Sequence, residues 1–344
     1  MIGTNGTTYK RILFLFLSVA LMFSGRVCAG EYAADFLRIG TGARALAMGG
    51  AYVALANGVS APYWNPAGLS GLRGYAVQLD HVSLFKGLSQ YNALSLALGF
   101  DKRMALSLTW IRLGVDDIPR YATLQGTRLD RLTQTSYRSN GEAEGYFSDT
   151  EDALFFTFAR KEFFDLYFGG GMADNPVPAE FSFGISGKYI RQNLDDAVGT
   201  GQGLDAGLLL RFISRSSTYR DYDRWLGFGL QMRDLSRAAM VWSTTSGHRD
   251  EIQTGVQAGV AASNLFKSVR TRLTLSADKE FGFYDPLRLG GELSFFDVVA
   301  VRGGYFDEHF SAGAGIAITH FEVDYAFVSS DLENSHRITA IVKF

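Results

Sequence analysis

This chain of 344 residues has one cysteine, Cys28, and it falls inside a leader-like start. Lys10 and Arg11 precede the apolar run Ile12 to Phe23, and Val27-Cys28-Ala29 offers the small residues of a signal-peptidase site. Cleavage after Ala29 is expected to export the chain and leave it without cysteine, which excludes disulfides and thiol chemistry. Lipid modification of Cys28 fits less well, because Gly25-Arg26-Val27 precedes it where a leucine and a small residue would be needed. The leader's apolar run is also shorter than the roughly 20 residues that a membrane helix requires.

Other absences narrow the function. Beyond residue 29 no stretch reaches 18 consecutive apolar residues, so a helical membrane protein is excluded. There is no basic excess: 30 basic residues face 35 acidic ones after the leader, and nothing points to nucleic acid. His81, His248, His309, His320 and His336 are scattered without any pair at zinc-binding spacing. Asp116-Asp117 and Asp195-Asp196 lack the ladder of a calcium loop and read as solvated loop acids. No G-x-S-x-G elbow occurs. No metal, no cofactor and no enzymatic activity are therefore expected.

What the chain does have, from Tyr75 onward, is alternation. In "RMALSLTWI", Met104, Leu106, Leu108 and Trp110 fall on one face of a strand and Ala105, Ser107 and Thr109 on the other. The same rule orders "FSFGISGKYI", "TRLTLSADKE", "HFEVDYAFV" and "HRITAIVKF". Segments of this kind lie near 75–83, 90–100, 103–113, 151–161, 181–191, 203–213, 224–233, 254–262, 271–279, 287–295, 298–306, 311–319, 320–328 and 336–344. Fourteen is an even number, as a closed antiparallel transmembrane barrel with both termini on one side needs. Connections after odd strands, 115–150 and 234–253, are long, and those after even strands are short except 162–180. A soluble sandwich would also alternate, but fourteen strands of membrane length exceed its core. Tyr75, Tyr91, Phe100, Trp110, Phe181, Tyr189, Trp225 and Tyr305 near strand ends suit membrane interfaces. The final Phe344 resembles the strand signal read by the barrel assembly machinery.

On the polar faces, Asp80, Lys188, Asp205, Arg211, Asp278, Arg288, Glu292, Arg302, Glu322, Asp324, Arg337 and Lys343 are expected to point into the lumen. Their mixed signs favour pairing with one another or with a plug over ion selectivity.

Between leader and first strand stands "GTGARALAMGGAYVALANGVSAPYWNPAGL", Gly40 to Leu69. Gly40, Gly42 and Ala45 match the spacing of a dinucleotide loop, but "GEYAADFLRI" before them is not a buried strand and no βαβ unit follows, so a cofactor cradle is rejected. The stretch resembles the N-terminal signature of the PorV/PorQ family, a branch of the FadL-like outer-membrane barrels. The resemblance continues in residues 183–212 and 323–344. It implies a fourteen-stranded barrel over 75–344 and a lumenal hatch over 30–74, with Asn65-Pro66-Ala67 matching the hatch motif. In such a hatch Gly40, Gly42, Gly49, Gly50 and Gly68 allow close packing, Arg44 belongs to the motif, and Pro66 ends a helix-like "GGAYVALAN". The resemblance further implies an outer-membrane location, contact with outer-membrane lipids, and passage of hydrophobic small molecules. Alternatives are a component of type IX secretion that handles secreted proteins, and a purely structural barrel.

Overall fold

The computed structural model describes residues 33–137, 141–167, 176–214, 223–236, 239–244, 248–252, 254–281 and 286–344. The leader lies outside the described residues. The strands are β1 (Gly74–Leu84), β2 (Ser89–Phe100), β3 (Met104–Arg120), β4 (Gly145–Leu166), β5 (Val177–Leu194), β6 (Ala197–Ile213), β7 (Arg224–Arg233), β8 (Ala239–Trp242), β9 (Arg249–Glu251), β10 (Gly255–Phe266), β11 (Thr271–Phe281), β12 (Leu287–Phe295), β13 (Val299–Phe306), β14 (His309–Ile318), β15 (Phe321–Val328) and β16 (Ser335–Lys343).

Fourteen of these form one closed antiparallel ladder. β1 to β7 pair in sequence, β7 pairs with β10, β10 to β16 follow in order, and β16 returns to β1 with Ala76 opposite Lys343 and Val82 opposite Arg337. Closure removes the free edges of these fourteen strands, which hydrocarbon could not solvate. We call the end where β1 begins and β16 finishes the near end, and the opposite one the far end. β8 and β9 form a small hairpin within the far-end connection between β7 and β10, and β8 adds onto the first residues of β6.

Alternation places side chains as the period-2 rule requires. On β3, Ala105, Ser107 and Thr109 are buried inward while Leu108 is exposed outward. Leu79, Ile185, Leu275, Val301, Val323 and Ile338 continue that exposed apolar face around the circumference. An apolar belt of this extent is the surface a bilayer solvates. Among the described residues no helix is long and apolar enough to cross a membrane. Tight reversals connect several strands. Asp307 and Glu308 link β13 to β14 with φ of 46° and 66°, the left-handed pair of a two-residue hairpin turn.

Several expectations need correction. Residues 115–150 are not wholly loop, because β3 runs on to Arg120 and β4 begins at Gly145. Asp116-Asp117 lies within β3, at the irregularity where the β3–β4 register slips between Val115 and Ile118, whereas Asp195-Asp196 is the exposed loop acid read from the sequence, in the turn between β5 and β6. The long near-end connection shrinks to 167–176, since β4 and β5 extend past the segments expected for them. Two of the proposed interface aromatics face inward instead. Tyr91 is 1% exposed, because odd positions of β2 line the lumen, and Trp225 packs beneath the Arg211 guanidinium at 5.1 Å. Tyr75, Tyr189 and Tyr305 do face outward.

Phe344 sits at the closing seam. Its backbone N–H donates to Tyr75 at 2.8 Å and its carbonyl accepts from Tyr75 N–H at 3.1 Å, while its ring is exposed outward. Deleting it removes the last rung between β16 and β1. Membrane insertion of the deletion variant is expected to slow several-fold. Pulse-chase with heat-modifiable gel migration measures this, and unaltered insertion kinetics would remove the assigned role.

Candidate functional site

Residues 33–73 make short pieces of structure: α-helices at Ala43–Ala47 and Ala61–Trp64, and 3-10 turns at Asp35–Arg38, Gly58–Ser60 and Pro66–Gly71. Helix segments this short leave most backbone N–H and C=O groups without internal partners, and buried groups of that kind need partners elsewhere. The inner wall of the barrel supplies them.

The bonds come from all around the wall. Gly42 N–H donates to Asp80 Oδ1 at 3.2 Å, and Ala43 N–H to Thr339 Oγ1 at 2.7 Å. Ser311 Oγ accepts from Gly49 N–H and donates to the Ala47 carbonyl, both at 3.0 Å. Val53 N–H donates to Asp278 Oδ2 at 2.7 Å, and Ser276 Oγ donates to the Ala51 carbonyl. Arg211 donates to the carbonyls of Ala54 and Ala56, Gln231 to that of Tyr63, and Arg337 to that of Gly40. The lumen-facing polar residues thus bond the backbone of the segment, not only one another.

Asn65 is the densest node. It is fully buried and caps the 3-10 turn Pro66–Gly71, with its Oδ1 accepting from Ala67 N–H at 3.1 Å. Its Nδ2 donates to the Val53 carbonyl at 2.9 Å and to the Leu208 carbonyl of β6 at 3.1 Å. One side chain therefore ties two parts of the segment to the wall. Pro66 opens this turn, at a position where its missing N–H costs nothing. That corrects the expectation that Pro66 ends a helix. Residues 49–57 form no helix at all; successive turns carry them across several strands, with Asn65 bonded to their Val53 carbonyl.

Gly40, Gly42, Gly49 and Gly50 all have φ between 65° and 84°, a region that disfavours other residues. Gly68 lies where any Cβ would strike the Ala56 carbonyl. The wall answers with glycines of its own, which sequence reasoning missed. A methyl group at Gly304 would collide with the Gly49 amide, and one at Gly207 with the Asn65 side chain. At Gly229 it would stand 2.6 Å from the Val53 carbonyl. The available signal was glycine on the inward parity of a strand, where a backbone must approach.

Many of the charged lumen residues are paired. Arg44 from the segment makes a two-pronged contact with Glu292, at 2.8 and 2.7 Å. Arg302 links Glu292 and Asp324 at 2.6 Å each, and Lys343 pairs with Glu322 at 2.5 Å. On the other side, Lys188 is held between Asp205 at 3.0 Å and Asp234 at 2.7 Å. Asp234, from the turn after β7, was not among the residues read from the sequence. Among the described residues no cluster of three or more His, Cys, Asp or Glu side chains is arranged to hold a metal.

Among the described residues, a chamber lies on either side of the segment. The far-end chamber, about 380 Å³, has Leu46, Tyr63 and Trp64 of the segment facing Leu84, Phe306 and Phe310 of the barrel. Tyr63 donates its hydroxyl to the Leu37 carbonyl, and burial pushes its phenol pKa up, so it remains a donor. Glu280 is clamped there by Arg233 at 2.6 Å and Arg288 at 2.7 Å. The near-end chamber, about 710 Å³, is more polar and is lined by Arg44, Tyr52 and Leu55 of the segment together with Lys161, Glu180 and Arg211 of the wall.

A closed ladder, an apolar outer belt and a polar inner wall define a transmembrane β-barrel. No family model and no curated protein sequence matches the chain. Among solved structures, the chain is similar to a mutant of TodX, described as a monoaromatic hydrocarbon channel, at 12% identity and TM-score 0.49, covering 88% of this chain and 98% of that one. CymD, also described as a monoaromatic hydrocarbon channel, is 13% identical with TM-score 0.44 over 89% and 98% of the two chains. A FadL homologue of Pseudomonas aeruginosa is 11% identical with TM-score 0.42 over 86% and 96%.

Proposed function

We propose that this chain is an outer-membrane barrel of the FadL-like kind through which small hydrophobic molecules pass, with residues 33–73 acting as the hatch. The observation that carries the reading is the far-end chamber: its walls mix aromatic and aliphatic side chains from barrel and segment, and its floor is the segment itself. A ligand entering from the far end meets Tyr63 and Trp64, and movement of the segment would connect the two chambers. Apolar pockets with a few placed polar groups are the usual form of small-molecule sites.

The PorV/PorQ resemblance belongs to this proposal, and it brings a second reading, a component of type IX secretion that binds secreted proteins. The far-end connection between β3 and β4 supports it with exposed Tyr121, Leu124, Leu129 and Leu132. Comparing a deletion strain with its parent separates the two. The transport reading expects uptake of hydrophobic compounds to fall several-fold with an unchanged secreted proteome. Intact uptake with loss of secreted cargo would replace it by the second.

A further inference from the structure

The near-end chamber carries a charge that the whole chain does not. The chain has a formal net charge of −2, yet three of the cations that line this chamber, Lys161, Arg211 and Arg73, share it with a single nearby carboxylate, Glu180. The pairing is uneven. Glu322 is taken by Lys343 and Asp324 by Arg302, while Arg44 is taken by Glu292. That leaves Glu180 as the carboxylate facing Lys161, Arg211 and Arg73.

Glu180 holds its neighbours loosely. Lys161 Nζ stands 3.8 Å from one of its oxygens and Arg211 Nη1 3.8 Å from the other, both beyond hydrogen-bond length. Lys161 and Glu180 are buried, with side chains 8% and 6% exposed. Arg211 spends one nitrogen on the carbonyls of Ala54 and Ala56, and its buried Nε has no hydrogen-bond partner. Three cations around one carboxylate, with a buried guanidinium Nε unfilled, are costly unless an anion joins them. Arginine and lysine around one open space are the usual means of binding phosphate or carboxylate groups.

We propose that the near-end chamber is a binding site for a small oxyanion, a phosphate or carboxylate group, held by Lys161, Arg211 and Arg73 around Glu180. The site is on the opposite side of the N-terminal segment from the apolar chamber and does not depend on what that chamber takes. Because Arg211 also bonds the carbonyls at 54 and 56, an anion there would compete for the guanidinium that ties down this part of the segment. Field focusing in a low-dielectric cleft adds attraction that salt weakens.

The test uses the full processed chain in detergent micelles, titrated calorimetrically with inorganic phosphate and, separately, with dihexanoyl phosphatidate to distinguish a free anion from a lipid headgroup. Expected is one saturable site per chain for at least one probe, weakened by raised salt. Arg73→Gln, at the exposed mouth, and Lys161→Gln are expected to weaken binding about tenfold or more, the loss of one charge-assisted contact. Both should keep the heat-modifiable gel shift of the folded barrel. Binding of the apolar fluorophore N-phenylnaphthylamine should stay unchanged, which separates this site from the far-end chamber. Failure of both probes to bind, or equal binding by the folded variants, would overturn the proposal.

Discussion

Replacing Asn65 with aspartate is expected to raise leakage of small hydrophilic solutes through the barrel by a factor of ten or more. The amide Nδ2 donates to the carbonyls of Val53 and Leu208 in a site that is 0% exposed. A carboxylate of the same shape has no donor for either carbonyl and sets a negative charge against two partial negative ones. Each buried polar group left unmade costs about 1–3 kcal/mol. A combined loss of about 3 kcal/mol moves the balance between seated and released segment roughly a hundredfold, at about 1.4 kcal/mol per factor of ten. The barrel's own ladder does not involve this side chain, so the folded gel shift should persist. Single-channel recording in planar bilayers, or sensitivity of cells to antibiotics too large for ordinary porins, reads the outcome. A folded Asn65→Asp barrel with unchanged leakage would show that this side chain does not hold the segment in place.

Lys188→Met is expected to be the most destabilising single change in the wall. The lysine lies between Asp205 and Asp234, and all three side chains are at most 8% exposed. Asp205 also accepts from Asp234 N–H at 2.8 Å, so the two carboxylates stay close when the ammonium is removed. Leaving a buried charge without its partner costs about 3–5 kcal/mol. Denaturant unfolding in micelles, followed by tryptophan fluorescence, should show a loss of this size. Adding Asp205→Asn to the same chain should restore part of it, since one of the two unpaired charges is then gone. A loss below about 1 kcal/mol would place the three groups in contact with water.

The strands were legible in the sequence and the docking of the segment was not, for a physical reason. A strand declares itself locally, because each residue's face follows from the parity of its neighbours, as Leu108 and Thr109 show. The bonds that seat the segment join residues far apart in the chain, such as Ala43 to Thr339 and Gly49 to Ser311, and no local period encodes them. The apolar string "GGAYVALAN" misled because alanine-rich sequence favours helix when nothing else acts. Here Asp278, Ser276 and Asn65 bond its backbone at separate points, and turns serve that better than a helix. Tyr91 and Trp225 were assigned from their position near strand ends, whereas parity placed them inward. Asn65, Gly49 and Gly50 stood out in the sequence, but the wall glycines they pack against, Gly207 and Gly304, had no motif of their own.

In the proposed transport, solute passes only when residues 33–73 move away from the wall. Cysteines at Ala43 and Thr339, whose backbone and hydroxyl already meet at 2.7 Å, would lock the segment to β16 in a Cys28→Ser background. Uptake of a hydrophobic fluorophore is then measured before and after reduction of the disulfide. The account predicts that uptake falls to the level of the deletion strain while the link is oxidised and returns on reduction. Equal uptake in both states would contradict it.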